Sequence, residues 1–343
     1  MGKQAWASKG GSGIGSKTWI FGVNGGTVWG HNPPVYHLAQ SHPVHLWADC
    51  RIYQQNKEWA KAWKYPHWGL MLKYMDYRNR VLGQSVVGIV YWEPKIRNRF
   101  TYRIGTGVSY QTHPFNSEYN STNLMLGSWI AYVMHLQIAY YQPLSHKYGL
   151  RFSWGLTHIS NGAFSQPNSG MNLFYIGTGF YFNQAKSNHS SDSISQFSLK
   201  KRWNFVLSTS MALVEKFPVG GPKYPLFQIQ GRVQYRLGRK SSITTGWDWK
   251  RNAAVQNYID NDPNLGSSSQ TVGLPIGHEL HISTVSMITE LGFYLWKKHD
   301  VFPEIYQRYG VRNYWTENCF TGVYLNTHKA KAECIEWSLG YRW

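Results

Sequence analysis

The chain has 343 residues and a formal net charge of +18; 16% of its residues are aromatic, with 17 Trp and 24 Tyr, and only 15% are charged. A soluble globular domain carries about 25% charged residues, so this is not the composition of an ordinary soluble enzyme. No apolar run reaches the roughly 18 residues of a spanning helix, which excludes a helical membrane protein. Aromatics interleaved evenly with polar residues fit a transmembrane β-barrel, where lipid-facing and lumen-facing side chains alternate.

Residues 1–16 lack the apolar stretch of a secretory signal and read as a flexible tail. Period-2 segments follow near 17–30, 44–54, 68–77 and 83–93. In the next, Phe100, Tyr102, Ile104, Val108 and Tyr110 oppose Thr101, Arg103 and Ser109. Segments near 127–141, 147–158, 171–183 and 203–215 come after it. The cleanest alternation sets Phe227, Ile229, Val233, Tyr235 and Leu237 against Gln228, Gln230, Arg232, Gln234 and Arg236. Further strands are predicted near 242–250, 286–297, 305–313 and 317–326, with a weaker one near 276–283. At the C-terminus Ile335, Trp337, Leu339, Tyr341 and Trp343 oppose Glu336, Ser338 and Arg342, and the chain ends on an aromatic residue.

The expected fold is therefore all-β, a single antiparallel transmembrane barrel over 17–343 with about 14–16 strands. The longer connections, 31–43, 112–126, 159–170, 216–225 and the Gly/Ser/Asn-rich 251–275, fall on one end and are expected to face outside. The exceptions are 55–67 and the Ser-rich 184–201, both long where short turns are expected.

The positive charge calls for an anionic partner. Nucleic acid is one such target, though no basic run or nucleic-acid motif is present; a lipopolysaccharide surface with its phosphates is the other, and charge alone does not choose between them. Arg78 and Arg80, at an outer turn, are candidate phosphate contacts. Cys50, Cys319 and Cys334 make no CxxC pair, and neither a disulfide framework nor a cysteine metal site is expected. His31, His37, His42 and His45 cluster without a carboxylate or thiol, which reads as a solvated outer loop rather than a metal site. Glu279 and His281 share a parity and are expected to pair inside the lumen, with His278 on the other face; Asp248 and Lys250 also face inward. No metal and no cofactor is expected.

The stretch that carries chemistry runs from Leu150 to Phe182. Leu150, Phe152, Trp154 and Leu156 share one parity, and His158 and Ser160 continue it. On the returning strand Asn172 shares the parity of Phe174, Ile176, Phe180 and Phe182. Three polar side chains thus project towards lipid, where polarity is costly. A hydroxyl nucleophile needs a base, the base an orienting partner, and the oxyanion a set of donors. Ser160, His158 and Asn172 suit the first three roles, and Asn161, Asn168 and the backbone at Gly162 and Ala163 suit the last. On parity alone these residues read equally as rim side chains around a turning loop.

The run His158-Ile159-Ser160-Asn161, followed by Gln166-Pro167-Asn168-Ser169-Gly170-Met171-Asn172, resembles the signature of PagL-type lipid A 3-O-deacylases. A looser resemblance to the larger acyloxyacyl hydrolase-like barrels includes His31-Asn32-Pro33-Pro34, Tyr74-Met75-Asp76-Tyr77, Gly277-His278-Glu279-Leu280 and the terminal Glu336-to-Trp343 segment. The resemblance implies an outer-membrane esterase with His158 as general base, Ser160 as nucleophile and Asn161 with Asn168 near the oxyanion. It also implies a Glu where this chain has Asn172. At about twice the length of an eight-stranded deacylase, the chain is expected to form a wider barrel. Two rival expectations remain beside the esterase. One is a catalytically silent barrel serving as partner or scaffold in an outer-membrane complex, the other a porin-like transporter.

Overall fold

The computed structural model of the chain describes residues 16–30, 33–53, 58–183, 201–216, 218–329 and 331–343. The expected tail up to residue 15, and His31 with Asn32, lie outside the described residues. No helix among the described residues is long and apolar enough to cross a membrane. The strands are β1 Lys17–Trp29, β2 Val44–Tyr53, β3 His67–Asp76, β4 Gln84–Glu93, the three-residue β5 Lys95–Arg97, β6 Phe100–Gln111, β7 Ile130–Pro143, β8 Tyr148–Ser160 and β9 Met171–Asn183. They continue as β10 Trp203–Glu215, β11 Lys223–Arg236, β12 Ser241–Asn252, β13 Gly266–Ile282, β14 Val285–His299, β15 Ile305–Tyr314, β16 Cys319–His328 and β17 Lys331–Arg342.

These strands close twice. β1 pairs with β2 on one side and β9 on the other, and β4 pairs with β6, which seals a first antiparallel barrel with β5 as a short rung beside β6. β10 pairs with β11 and with β17, which seals a second. The single wider barrel expected over 17–343 is therefore corrected to two closed eight-stranded barrels. Alternation shows which face of a strand meets lipid but not which strand lies beside it. With both edges of β1 and of β10 occupied, no free edge remains to continue one wall into the next. The long Ser-rich stretch at 184–201 is not a turn within a wall: it joins β9 to β10, from one closed barrel to the other. The chain divides into two units built on these barrels, with residues 162–166 grouping with the second.

An eight-stranded barrel leaves an interior just wide enough for side chains to fill, and both interiors are filled with charge. In the first, Arg103 donates to Glu93 at 2.8 Å and to Asp49 at 2.8 Å while lying 3.5 Å from the Tyr91 ring centre; Arg51 reaches Glu93 at 2.7 Å. In the second, Arg232 joins Glu290 and Asp248, Arg308 joins Glu290 and Glu336, and Arg312 joins Glu279. Glu279 lies 3.7 Å from His281, as their parity predicts, and Lys250 binds Glu333 at 2.7 Å. Such packed interiors argue against the porin-like reading. Removing one partner of a buried ion pair leaves the other charge uncompensated, at a cost of about 3–5 kcal/mol. Arg103→Met is accordingly expected to lower the free energy of unfolding by about 3–5 kcal/mol, obtained from a urea unfolding curve followed by tryptophan emission in detergent.

The outer faces carry aromatics at both ends of the first barrel. Trp29, Tyr110 and Trp129 are exposed at one end, Phe100, Tyr148 and Phe182 at the other, the girdles expected where lipid meets water. At the Trp29 end the long connections are packed rather than loose. Leu38, Tyr77, Leu82, Met125 and Leu126 share one buried cluster with Ile159 and Met171. The Asn120 side chain donates to the carbonyls of Val81 and His113 at 3.0 Å each.

Two loop expectations change. Residues 251–275 contain the helix α2, Ala253–Asn261, and the first part of β13. Asn252 caps the helix by accepting from the Ala254 and Val255 amides, and Ala254, Val255 and Ile259 are buried; this apolar face is too short to register as a helical period. In the histidine-rich segment, His45 is not in a solvated loop but fully buried on β2.

Candidate functional site

The β7–β8–β9 register builds the site from the first barrel. Along β8 the inward Ser153, Thr157 and Ile159 are buried, while the outward Phe152 and Trp154 are about half exposed. His158 and Ser160 continue the outward row, and the register sets His158 opposite Asn172 on β9 and Ser160 opposite Tyr132 on β7. The three polar residues thus stand together on the lipid-facing wall at its Trp29 end. Trp29 is the β1 neighbour of Asn172 and lies 5.6 Å, centroid to centroid, from Phe174.

Their contacts are specific. The Asn172 Oδ1 lies 2.7 Å from His158 Nδ1, so with this amide oxygen as acceptor the ring carries a proton on Nδ1 and leaves Nε2 as its basic nitrogen. Asn168 Nδ2 donates to Ser160 Oγ at 2.9 Å, and Asn168 Oδ1 accepts from the Asn161 backbone amide at 3.1 Å. Because that amide fixes the oxygen of Asn168, its NH2 is aimed at Ser160. The hydroxyl also lies 3.2 Å from Asn168 Oδ1.

The structure therefore brings together four of the residues singled out in the sequence, His158, Ser160, Asn168 and Asn172. It places the others differently. Asn161 contributes its backbone to Asn168 and directs its side chain to Ser128 Oγ at 3.0 Å. Gly162 and Ala163, with φ of 62 and 64, group with the second unit, where the Ala163 carbonyl accepts from the Glu215 amide. Arg78 and Arg80 are exposed on the β3–β4 turn. In the ring order β1-β2-β3-β4-β6-β7-β8-β9 that turn lies almost diametrically across the rim from β8, so these arginines do not join the cluster.

Two contributions are absent from the sequence reading. Gly170 has φ of 73, and a Cβ there would come within 3.0 Å of His158 Cε1; a side chain would press on the imidazole. Positive φ is a glycine property, and the Asn-Ser-Gly run marks it, but nothing in the spacing ties it to the histidine. The second is the 112–129 connection: the Leu124 and Met125 carbonyls accept from the Ser169 and Gly170 amides at 3.1 and 3.0 Å. The loop that carries Asn168 is thus held by a neighbouring loop remote in sequence.

A hydroxyl beside an amide donor, with an oriented imidazole in the same outward row, has the parts needed for acyl transfer. Among the described residues no group of three His, Cys, Asp or Glu side chains gathers as a metal-binding set, and all three cysteines are free. His37 lies 3.1 Å from the Thr122 carbonyl, while His45 is inside the barrel.

Comparisons with known proteins follow the same division. The chain finds no match among curated proteins. Solved structures similar to it include a mutant porin from Rh. blastica, with 8% identity over 95% of this chain and 99% of that one and a TM-score of 0.22. CdiB from Acinetobacter baumannii matches with 8% identity over 95% and 59%, TM-score 0.20, and the NanC porin with 8% over 94% and 97%, TM-score 0.16. Likenesses this low carry no argument. The family models do: lipid A 3-O-deacylase (PagL) matches residues 50–181, within the first barrel and across its site, and the acyloxyacyl hydrolase C-terminal domain matches residues 201–343, the whole second barrel. Matched in both barrels, the chain belongs to the PagL/acyloxyacyl hydrolase family of outer-membrane β-barrels.

Proposed function

We propose that the chain is an outer-membrane esterase that removes the 3-O-linked acyl chain of lipid A, with the catalytic site on the first barrel. The observation that carries this reading is the His158–Asn172 hydrogen bond of 2.7 Å on the lipid-facing wall, in the outward row of Ser160. An acyl chain in the outer leaflet would lie against that wall. Ser160 Oγ attacks the ester carbonyl as His158 Nε2 takes its proton. Asn168 Nδ2, already aimed at Ser160, donates to the developing oxyanion. His158 then delivers the proton to the leaving sugar oxygen, and water attacks the acyl-enzyme with His158 again as base. Every step falls to a side chain of this chain.

Removing one oxyanion donor lowers turnover about 10²–10³-fold. Asn168→Ala is expected to lower kcat by that factor with little change in KM, in steady-state hydrolysis of purified lipopolysaccharide. The connections 30–43, 112–129 and 161–170 contain no Lys or Arg of their own.

Mass spectrometry of lipopolysaccharide incubated with the purified protein tests the activity. Loss of one ester-linked hydroxyacyl group supports it; unchanged lipid A across several acylation patterns would sink it. One observation favours a second reading: the amide of Asn172 cannot share the charge of an imidazolium as a carboxylate does. A silent barrel acting as a protein partner in an outer-membrane complex predicts no mass loss, and no gain when position 172 is made acidic.

A further inference from the structure

The positive charge of the first barrel gathers away from the Ser160 end. At that end the connections 30–43, 112–129 and 161–170 hold no Lys or Arg, and the β3–β4 turn holds only Arg78 and Arg80. At the opposite end, the turns around β5 and between β7 and β8, with the helix α1 (Glu58–Ala62) and the residues just after it, carry Lys61, Lys64, Lys95, Arg97, Arg99 and Lys147. All but the half-buried Lys61 are exposed. Glu93, at the same end, is fully buried and spent on Arg51 and Arg103, so it compensates the interior rather than the rim. The remaining carboxylate of these connections is Glu58.

The setting of these cations is interfacial. Ile96 and Leu144, each 56% exposed, stand on the same turns. The outward Phe100 and Tyr140 rings pair at 5.0 Å beside them. Arg99 donates to the Tyr140 hydroxyl at 3.2 Å and to Gln142 at 2.7 Å, neutral partners that hold its guanidinium level with the aromatic girdle. Trp63 packs edge-on against Trp92 at 4.7 Å and Trp59 against Trp68 at 6.0 Å, which anchors α1 to β3 and β4. Cations directly beyond an aromatic girdle, with apolar side chains between them, stand where lipid headgroups lie, and basic groups there attract anionic lipid.

We propose that this end of the first barrel is a docking surface for anionic phospholipid headgroups of the leaflet that faces away from Ser160. That this leaflet is the inner one rests on the proposed function; the lipid preference itself does not. A soluble polyanion would gain nothing from Ile96 and Leu144, which favours a headgroup within a bilayer.

The test is lipid retention by the full chain, measured by native mass spectrometry after release from mixed micelles of dioleoylphosphatidylglycerol and dioleoylphosphatidylcholine. The wild type is expected to retain phosphatidylglycerol at least about tenfold over phosphatidylcholine, with the preference falling as salt rises. The Lys95→Gln/Arg97→Gln/Arg99→Gln/Lys147→Gln variant is expected to retain the two lipids within about twofold. Arg78→Gln/Arg80→Gln, on the opposite rim, serves as the control and keeps the wild-type preference. Heat-modifiable gel mobility and tryptophan emission establish that each variant is folded; if the quadruple variant is not, the pairs Lys95→Gln/Lys147→Gln and Arg97→Gln/Arg99→Gln are expected each to lose part of the preference. Equal retention of both lipids by the wild type, a preference unchanged in the folded variants, or displacement by millimolar inorganic phosphate would each overturn the proposal. None of these readouts depends on hydrolysis, so its failure is distinguishable from failure of the esterase reading.

Discussion

Ser160→Ala is expected to abolish removal of the lipid A acyl chain, lowering turnover by roughly 10⁴-fold or more while leaving the barrel folded. Nucleophile and base act as a unit, so losing either costs about as much as losing both. The sharper form of the prediction is therefore non-additive: His158→Ala should match Ser160→Ala, and the double variant should be no slower than either. Ser160 is 6% exposed, and its hydroxyl interacts with Asn168; replacing it by Ala removes one buried hydroxyl from the outward row of β8 and leaves the charged barrel interior untouched, so heat-modifiable gel mobility should be retained. Mass spectrometry of lipopolysaccharide incubated with each purified variant provides the readout. A Ser160→Ala protein that still deacylates at the wild-type rate would place the nucleophile elsewhere. Single variants whose losses multiply in the double would mean that the two residues do not act in one step.

Strand faces were legible in the sequence because parity is a local property. Met171–Asn183 and Trp203–Glu215 fall where the alternation of 171–183 and 203–215 puts them. Strand partners were not, because pairing depends on register between distant segments. Nothing in Lys17–Trp29 announces that Trp29 will lie beside Asn172, or that β9 returns to β1 instead of continuing to β10. The length of 184–201 was the visible clue, since a connection that leaves one closed barrel for another is not bound to be a tight turn. β13 was seen only in its last part because Gly266–Gln270 is Gly/Ser-rich and carries no hydrophobic alternation, although the strand pairs with β14 from Gly266 onward.

The candidate site divides in the same way. His158, Ser160 and Asn172 share an outward face by parity, and the hairpin register places His158 against Asn172. Asn168 was legible through its motif, but the reason it points at Ser160 is the Asn161 amide that holds its oxygen, a detail of loop geometry. Gly162 and Ala163 are adjacent to Ser160 in sequence, yet they turn at positive φ and group with the second unit. Arg78 and Arg80 are at the right end of the barrel and on the wrong side of it, a distinction that only the ring order makes.

Asn172 is the position where one atom changes the chemistry. Its Oδ1 at 2.7 Å from His158 Nδ1 sets the tautomer a general base requires. Removing that acceptor with Asn172→Leu is expected to lower kcat by about 10²–10⁴-fold, approaching the loss seen when a serine hydrolase loses the correct tautomer. Asn172→Asp keeps the length of the side chain and replaces a neutral acceptor by a charge. The carboxylate stabilises the imidazolium formed as Ser160 attacks, so kcat is expected to rise at least about tenfold. The same charge raises the pKa of the imidazole. The base is competent only when neutral, so the acidic limb of the kcat/KM profile should move to higher pH in the Asp variant. Rate profiles between about pH 5 and 9, with wild type, Asn172→Asp and Asn172→Leu compared on one lipopolysaccharide, measure both effects. A merely structural Asn172 would leave the acidic limb in place whichever residue stands there. A fixed limb together with unchanged kcat in both variants would remove Asn172 from the machinery and leave His158 oriented by another group.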